Sequence, residues 1–115
     1  MKSNTRACIA YIAACLNGES SSHVYDHSRS KFINVSGNVS SANVNIYDYE
    51  RGCYISGSPG SLYDYGNGAH IQLTVNGSQF TGYDYDSGNH FSGSVNGSSV
   101  NIYDYEKSAY FNYSV

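Results

Sequence analysis

From residue 23 onward, apolar and polar side chains alternate in short stretches interrupted by Gly, Asn and Ser. A period of two is the pattern of a strand with one buried face. Turn-forming pairs punctuate the stretches in two sets. The first is Arg29-Ser30, Arg51-Gly52, Asn67-Gly68, Ser87-Gly88 and Lys107-Ser108; the second is Gly37-Asn38, Pro59-Gly60, Asn76-Gly77 and Asn96-Gly97. Read as two-residue turns, they predict a ten-stranded antiparallel up-and-down meander of five hairpin repeats over 23–115.

With faces assigned by alternation, one side of the meander collects the aliphatics and Phe, from Val24, Ile33 and Val35 through Val100, Ile102, Phe111 and Val115. The other collects Ser, Asn, Gln, Thr, three histidines and every tyrosine except Tyr11 and Tyr113. Parity survives all nine turns, which supports the register. Residues 5–16 carry a second pattern. Uncharged after Arg6 and apolar all round, they predict a helix with Ser3, Asn4 or Thr5 as N-cap and Asn17-Gly18 as its stop. A helix without a polar face is normally buried on every side. An aliphatic meander plus such a helix predicts a closed barrel around the helix, with a shear near ten and a strand tilt of roughly 37°. The alternative is an open curled sheet with the helix on its concave face, whose two free edges would favour dimerisation.

Each repeat contains one tripeptide: Tyr25-Asp26-His27, Tyr47-Asp48-Tyr49, Tyr63-Asp64-Tyr65, Tyr83-Asp84-Tyr85 and Tyr103-Asp104-Tyr105. The tyrosines fall on the polar face and the aspartates on the apolar one. Five inward carboxylates must be compensated, because an unpaired buried charge costs several kcal/mol. The short 17–22 linker places the helix start at the aspartate rim, so its dipole, Lys2 and Arg6 are the expected partners. The alternative for Asp26, Asp48, Asp64, Asp84 and Asp104 is a hard-cation site.

Composition narrows the function. The 115 residues make one domain, 1–115, with a net charge of −3 and no Lys/Arg cluster, so nucleic acid is not an expected partner. No stretch is long enough for a transmembrane helix. Cys8, Cys15 and Cys53 read as unpaired thiols, which favours the cytoplasm. Ile12-Ala13-Ala14-Cys15 also resembles a lipobox, which would make Cys15 a lipidated residue. No hydrolase, P-loop, zinc or dinucleotide motif occurs, so neither catalysis nor a cofactor is expected.

The tyrosine face is the better functional candidate. Tyr47, Tyr49, Tyr63, Tyr65, Tyr83, Tyr85, Tyr103 and Tyr105, with His70 and His90 beside Tyr65 and Tyr85, form an amphipathic surface among Ser and Asn. Tyrosine offers large contact area and a hydroxyl at small entropic cost. The sequence therefore predicts a non-catalytic interaction or scaffold module whose partner is a protein or a glycan. A secreted or lipoprotein glycan-binding module and a cation-binding protein are the alternatives.

Overall fold

A computed structural model describes all 115 residues, Met1 to Val115. Helix α1 (Ser3–Leu16) is followed by β1 (His23–Asp26), β2 (Lys31–Val39), β3 (Val44–Asp48), β4 (Cys53–Ser58) and β5 (Ser61–Asp64). Strands β6 (Ala69–Asn76), β7 (Gln79–Asp84), β8 (Asn89–Asn96), β9 (Ser99–Asp104) and β10 (Ala109–Ser114) complete the chain. Consecutive strands pair antiparallel, and β1 pairs with β10, so the sheet closes into a ten-stranded barrel. Closure removes the edges on which the dimer expectation rested.

The helix lies in the lumen. Eleven of its residues, Asn4 through Ala14, are buried. From Ala7 to Ala14 they are all apolar, so the wall can approach that stretch from all directions. Inward-facing Val24, Ile33, Val44, Ile46, Ile55 and Leu62 and their counterparts in later repeats join Ala7–Ala14 in one core. Of the expected inward set only Phe111 and Val115 are partly open, and both still pack on that core. Asn17 caps the helix and Gly18, at φ +95°, ends it as expected. The start differs. Ser3, Asn4 and Thr5 are helical, and Lys2 occupies the N-cap without a side-chain cap bond. Asn4 and Thr5 instead send their side chains to aspartates of the wall.

The hairpin turns are longer than two residues. In the repeat pairing Asp48 with Cys53, the loop is Tyr49–Gly52, and the same four-residue loop follows Asp26, Asp64, Asp84 and Asp104. The aspartate builds it. Asp48 Oδ1 accepts the N–H groups of Glu50 and Arg51 at 2.9 and 3.2 Å, while its main-chain carbonyl accepts that of Gly52 at 2.8 Å. This local bonding competes successfully with a tighter turn. The Gly, at φ +69° in Gly52, closes the loop in the left-handed region.

Three return turns also move. The chain reverses at Ser40–Asn43 rather than Gly37-Asn38, and at Gly77-Ser78 and Gly97-Ser98, one residue later than expected. Pro59-Gly60 reverses the chain where expected. Each correction changes the pairing by an even number of residues, so both faces keep their composition. The barrel's stagger does change. Carried around the closed sheet, the aspartates step by four, two, two, two and four residues, fourteen in all rather than ten. That implies a tilt of roughly 45°, at the steep end for barrels. Steps this even keep the aspartates on a nearly level ring.

Glycines on the inner wall make room for large neighbours. Phe91 lies across from Gly82 and Phe80 across from Gly93. A Cβ at Gly82 would sit 2.2 Å from both Gln72 O and the Phe91 ring. Gly82→Ala is therefore expected to lower stability by about 1–3 kcal/mol, measured by urea denaturation, as overpacking does elsewhere.

Candidate functional site

Two sets of repeated side chains separate across the wall. The five aspartates point inward at one rim and are fully buried. In four of them, Asp26, Asp48, Asp64 and Asp104, the second oxygen meets a cation from the chain itself. Asp26 receives Arg29 Nε at 2.6 Å; Arg51 bridges Asp48 and Asp64 at 2.6 and 2.9 Å. Asp104 receives Arg6 at 2.9 Å and the Met1 amino group at 3.1 Å. Asn4 donates to Asp48 and Thr5 to Asp64, so the first helical turn plugs the ring with side chains.

Arg6 is an expected partner found in place, and it also donates to Tyr113 and stacks over Phe111. Lys2 is a correction: it reaches Asp86 on the adjoining loop rather than the ring. Arg29 and Arg51, taken in the sequence for turn residues, are the ring's main cations. Their signal was spacing. The residue three beyond each aspartate lies in the loop and reads Arg29, Arg51, Asn67, Ser87 and Lys107; the first three fold their side chains back onto the carboxylate.

Burial pushes the Asp26, Asp48 and Asp104 carboxyls up, but hydrogen bonds and nearby cations outweigh it and hold all three below the ordinary range. Asp84 goes the other way. Ser87 gives its hydroxyl to the Asp84 main-chain carbonyl, Oδ2 has no hydrogen-bond partner in the protein, and burial raises its pKa. Ser87→Asn, which supplies the donor that Asn67 gives Asp64, is expected to add about 1 kcal/mol. Thermal unfolding of the variant checks this.

No group of three or more His, Cys, Asp or Glu side chains is arranged to hold a metal ion. The three cysteines are unpaired, and burial raises the thiol pKa of each. No helix is long and apolar enough to cross a membrane.

The tripeptide tyrosines lie outside. In every repeat the first ring of the tripeptide is flanked edge-to-face by two others. Tyr47 packs on Tyr49 and Tyr54, Tyr63 on Tyr65 and His70, and Tyr83 on Tyr85 and His90, at centroid distances of 4.7–4.9 Å. Tyr103 repeats this with Tyr105 and Tyr110, and Tyr25 with His27 and Phe32. His70 and His90 thus stand opposite Tyr63 and Tyr83 within their own hairpins, not Tyr65 and Tyr85. The longer loops account for that two-residue shift.

The triads leave open space between hairpins. Because Tyr63, Tyr83 and Tyr103 lean into their own hairpins, a cleft opens on the side facing the preceding one. Its walls are rings from two repeats, held at the same level by main-chain hydrogen bonds from Tyr65 to Tyr54, Tyr85 to His70 and Tyr105 to His90, at 3.0–3.3 Å. The first cleft lies between Tyr54 and Tyr65 over Asn45 and Ser56. The second lies between His70 and Tyr85 over Ser61 and Gln72, and the third between His90 and Tyr105 over Thr81 and Ser92. Their volumes are about 300, 470 and 390 Å³. At the other two junctions Asn34 faces Tyr49 and Asn112 faces His27, so only one wall is aromatic.

Comparison with known proteins gave no matching family model, no matching curated protein and no matching solved structure. The functional reading therefore rests on the site itself. Tyr65, Tyr85 and Tyr105 are each more than half exposed, whereas the central tyrosines are half-buried supports. Of the ten residues singled out as a binding surface, Tyr65, Tyr85, Tyr105, His70 and His90 line clefts. Tyr47, Tyr63, Tyr83 and Tyr103 hold them, and Tyr49 stands at a half-aromatic junction. Tyr54 was missed, because its role depends on a register that the turn lengths set.

Proposed function

We propose that the protein is a non-catalytic interaction module that engages its partner through the three inter-hairpin clefts. The observation carrying this reading is their equivalence: two aromatic walls and a hydroxyl or carboxamide floor, in the same register, three times. Rigid rings on a closed barrel present contact area with little entropy left to lose on binding. A non-catalytic role is supported by the buried carboxylates, four of which are held by the chain's own cations or amine.

A lipoprotein form fits the architecture poorly. Cleavage before Cys15 would remove the helix segment that fills the lumen and carries Asn4, Thr5 and Arg6 into the ring. The helix stays with the barrel in our reading, and Cys15→Ser leaves the protein in the same cell fraction.

The test compares native protein with the triple variant Tyr65→Ala/Tyr85→Ala/Tyr105→Ala as immobilised bait. These side chains are exposed, so the melting temperature should change little. Partners retained by the native protein should be lost from the variant and kept by a loop variant, Glu50→Gln. Equal retention by native and triple variant would refute the cleft assignment.

A further inference from the structure

We infer that the clefts bind neutral sugar rings, so that the barrel is a three-site receptor for an uncharged glycan. The inference rests on the cleft reading above and names its ligand class. Its basis is where the charges are absent. Within the strands the only charged residues are the five inward aspartates and Lys31. From β3 to β10 the outer wall therefore carries no charged side chain. The remaining acids and bases sit in the loops, linker and lumen. A nucleic acid, an anionic membrane or a uronic-acid polymer would need cations on that wall.

What the wall offers instead matches a polyol. A pyranose has a C–H face that packs on an aromatic ring and hydroxyls around its edge that both donate and accept. Each cleft supplies an aromatic ring on either side, and side chains that donate and accept beneath: Asn45 and Ser56, Ser61 and Gln72, or Thr81 and Ser92. The clefts are polar-floored and open, unlike the closed apolar pockets that anchor protein hot spots.

Geometry also fixes the mode of binding. Five repeats around a closed barrel turn successive clefts away from each other by about 72°. A straight, stiff chain cannot lie in all three. Each cleft takes a short segment of its own, with weak affinity, and several engage together only on a branched or densely displayed glycan.

The probes are maltohexaose, cellohexaose, chitohexaose, mannohexaose and galactohexaose, together with their parent polysaccharides in insoluble form. NMR titration of the full chain should show saturable shift changes for at least one hexaose, confined to Tyr54, Tyr65, His70, Tyr85, His90 and Tyr105. Retention on the matching polysaccharide should exceed single-site affinity by about 100-fold through avidity. Tyr85→Ala should weaken retention severalfold, and the triple variant should abolish it. The inference is overturned if no hexaose perturbs the clefts, if the shifts map to the rims, or if the triple variant is retained like the native protein. Loss of a protein partner by the triple variant without any glycan binding would sink this inference alone. Loss of neither would sink the cleft reading as well.

Discussion

Arg51→Ala is expected to destabilise the protein by about 3–5 kcal/mol, the cost of removing one partner from a buried ion pair. For a domain near this size each kcal/mol lowers the melting temperature by several degrees, so the loss should be evident in a simple melt. The effect is large because one guanidinium serves two aspartates that are both fully buried, Asp48 and Asp64. Lys107→Ala, at the equivalent loop position, is the control. Lys107 gives Asp104 only its main-chain N–H, and the carboxylate's cationic partners are Arg6 and the Met1 amino group, so that variant should lie within about 0.5 kcal/mol of native.

The same ring sets the response to pH. Asp26, Asp48 and Asp104 have lowered folded-state pKa values. Their stabilisation is complete above the unfolded carboxyl value, about 3.9, and is lost as pH falls through their folded values. The raised Asp84 acts with the opposite sign. Its contribution is present below the unfolded value and is lost as pH rises through the folded one. Stability should therefore rise slightly on mild acidification from neutrality, then fall steeply below about pH 4. Asp84→Asn should remove the rise and keep the fall, as read by urea midpoints across the range.

The second large effect concerns the helix. A chain lacking residues 1–16 should not hold the closed barrel. It would leave a lumen lined by Ile46, Ile55, Leu62 and their neighbours empty, and four of the ring aspartates would lose a helix or terminal partner or remain unpaired. Loss of dispersed amide resonances is the expected readout. A milder cut, Ile12→Ala at a fully buried position, should cost about 2–5 kcal/mol in urea denaturation. A native-like spectrum from the truncated chain would show that the sheet supports itself.

Much of this architecture was legible in the sequence because parity is robust. Every turn length that was misread was wrong by an even amount, so Val44 stayed inside and Tyr47 outside even as their partners moved. What could not be read was register. The Asp48 carboxylate recruits the amides of Glu50 and Arg51, and that local bonding stretches a nominal Arg-Gly turn into a four-residue loop. Repeated at Asp64 through the amides of Gly66 and Asn67, the stretch had two consequences. Arg51 swung from turn residue to ring partner, and His70 moved from Tyr65 to Tyr63, which opened the cleft shared with Tyr85. The aspartate ring itself was foreseeable from inward carboxylates and an uncharged helix. Its mainly side-chain solution was not, since Asn4 and Thr5 read more naturally as caps than as plugs.

The central claim is that the apolar helix is enclosed by a closed barrel, with its start held in the aspartate ring. Native-state hydrogen exchange at the amides of Ala7 through Ala14 tests it most directly. An enclosed helix can exchange only when the barrel opens, so these amides should show the full unfolding free energy obtained from denaturant. Exchange several kcal/mol easier than global unfolding, with the strands still protected, would mean that the helix detaches from a sheet that stands without it, and would contradict the account.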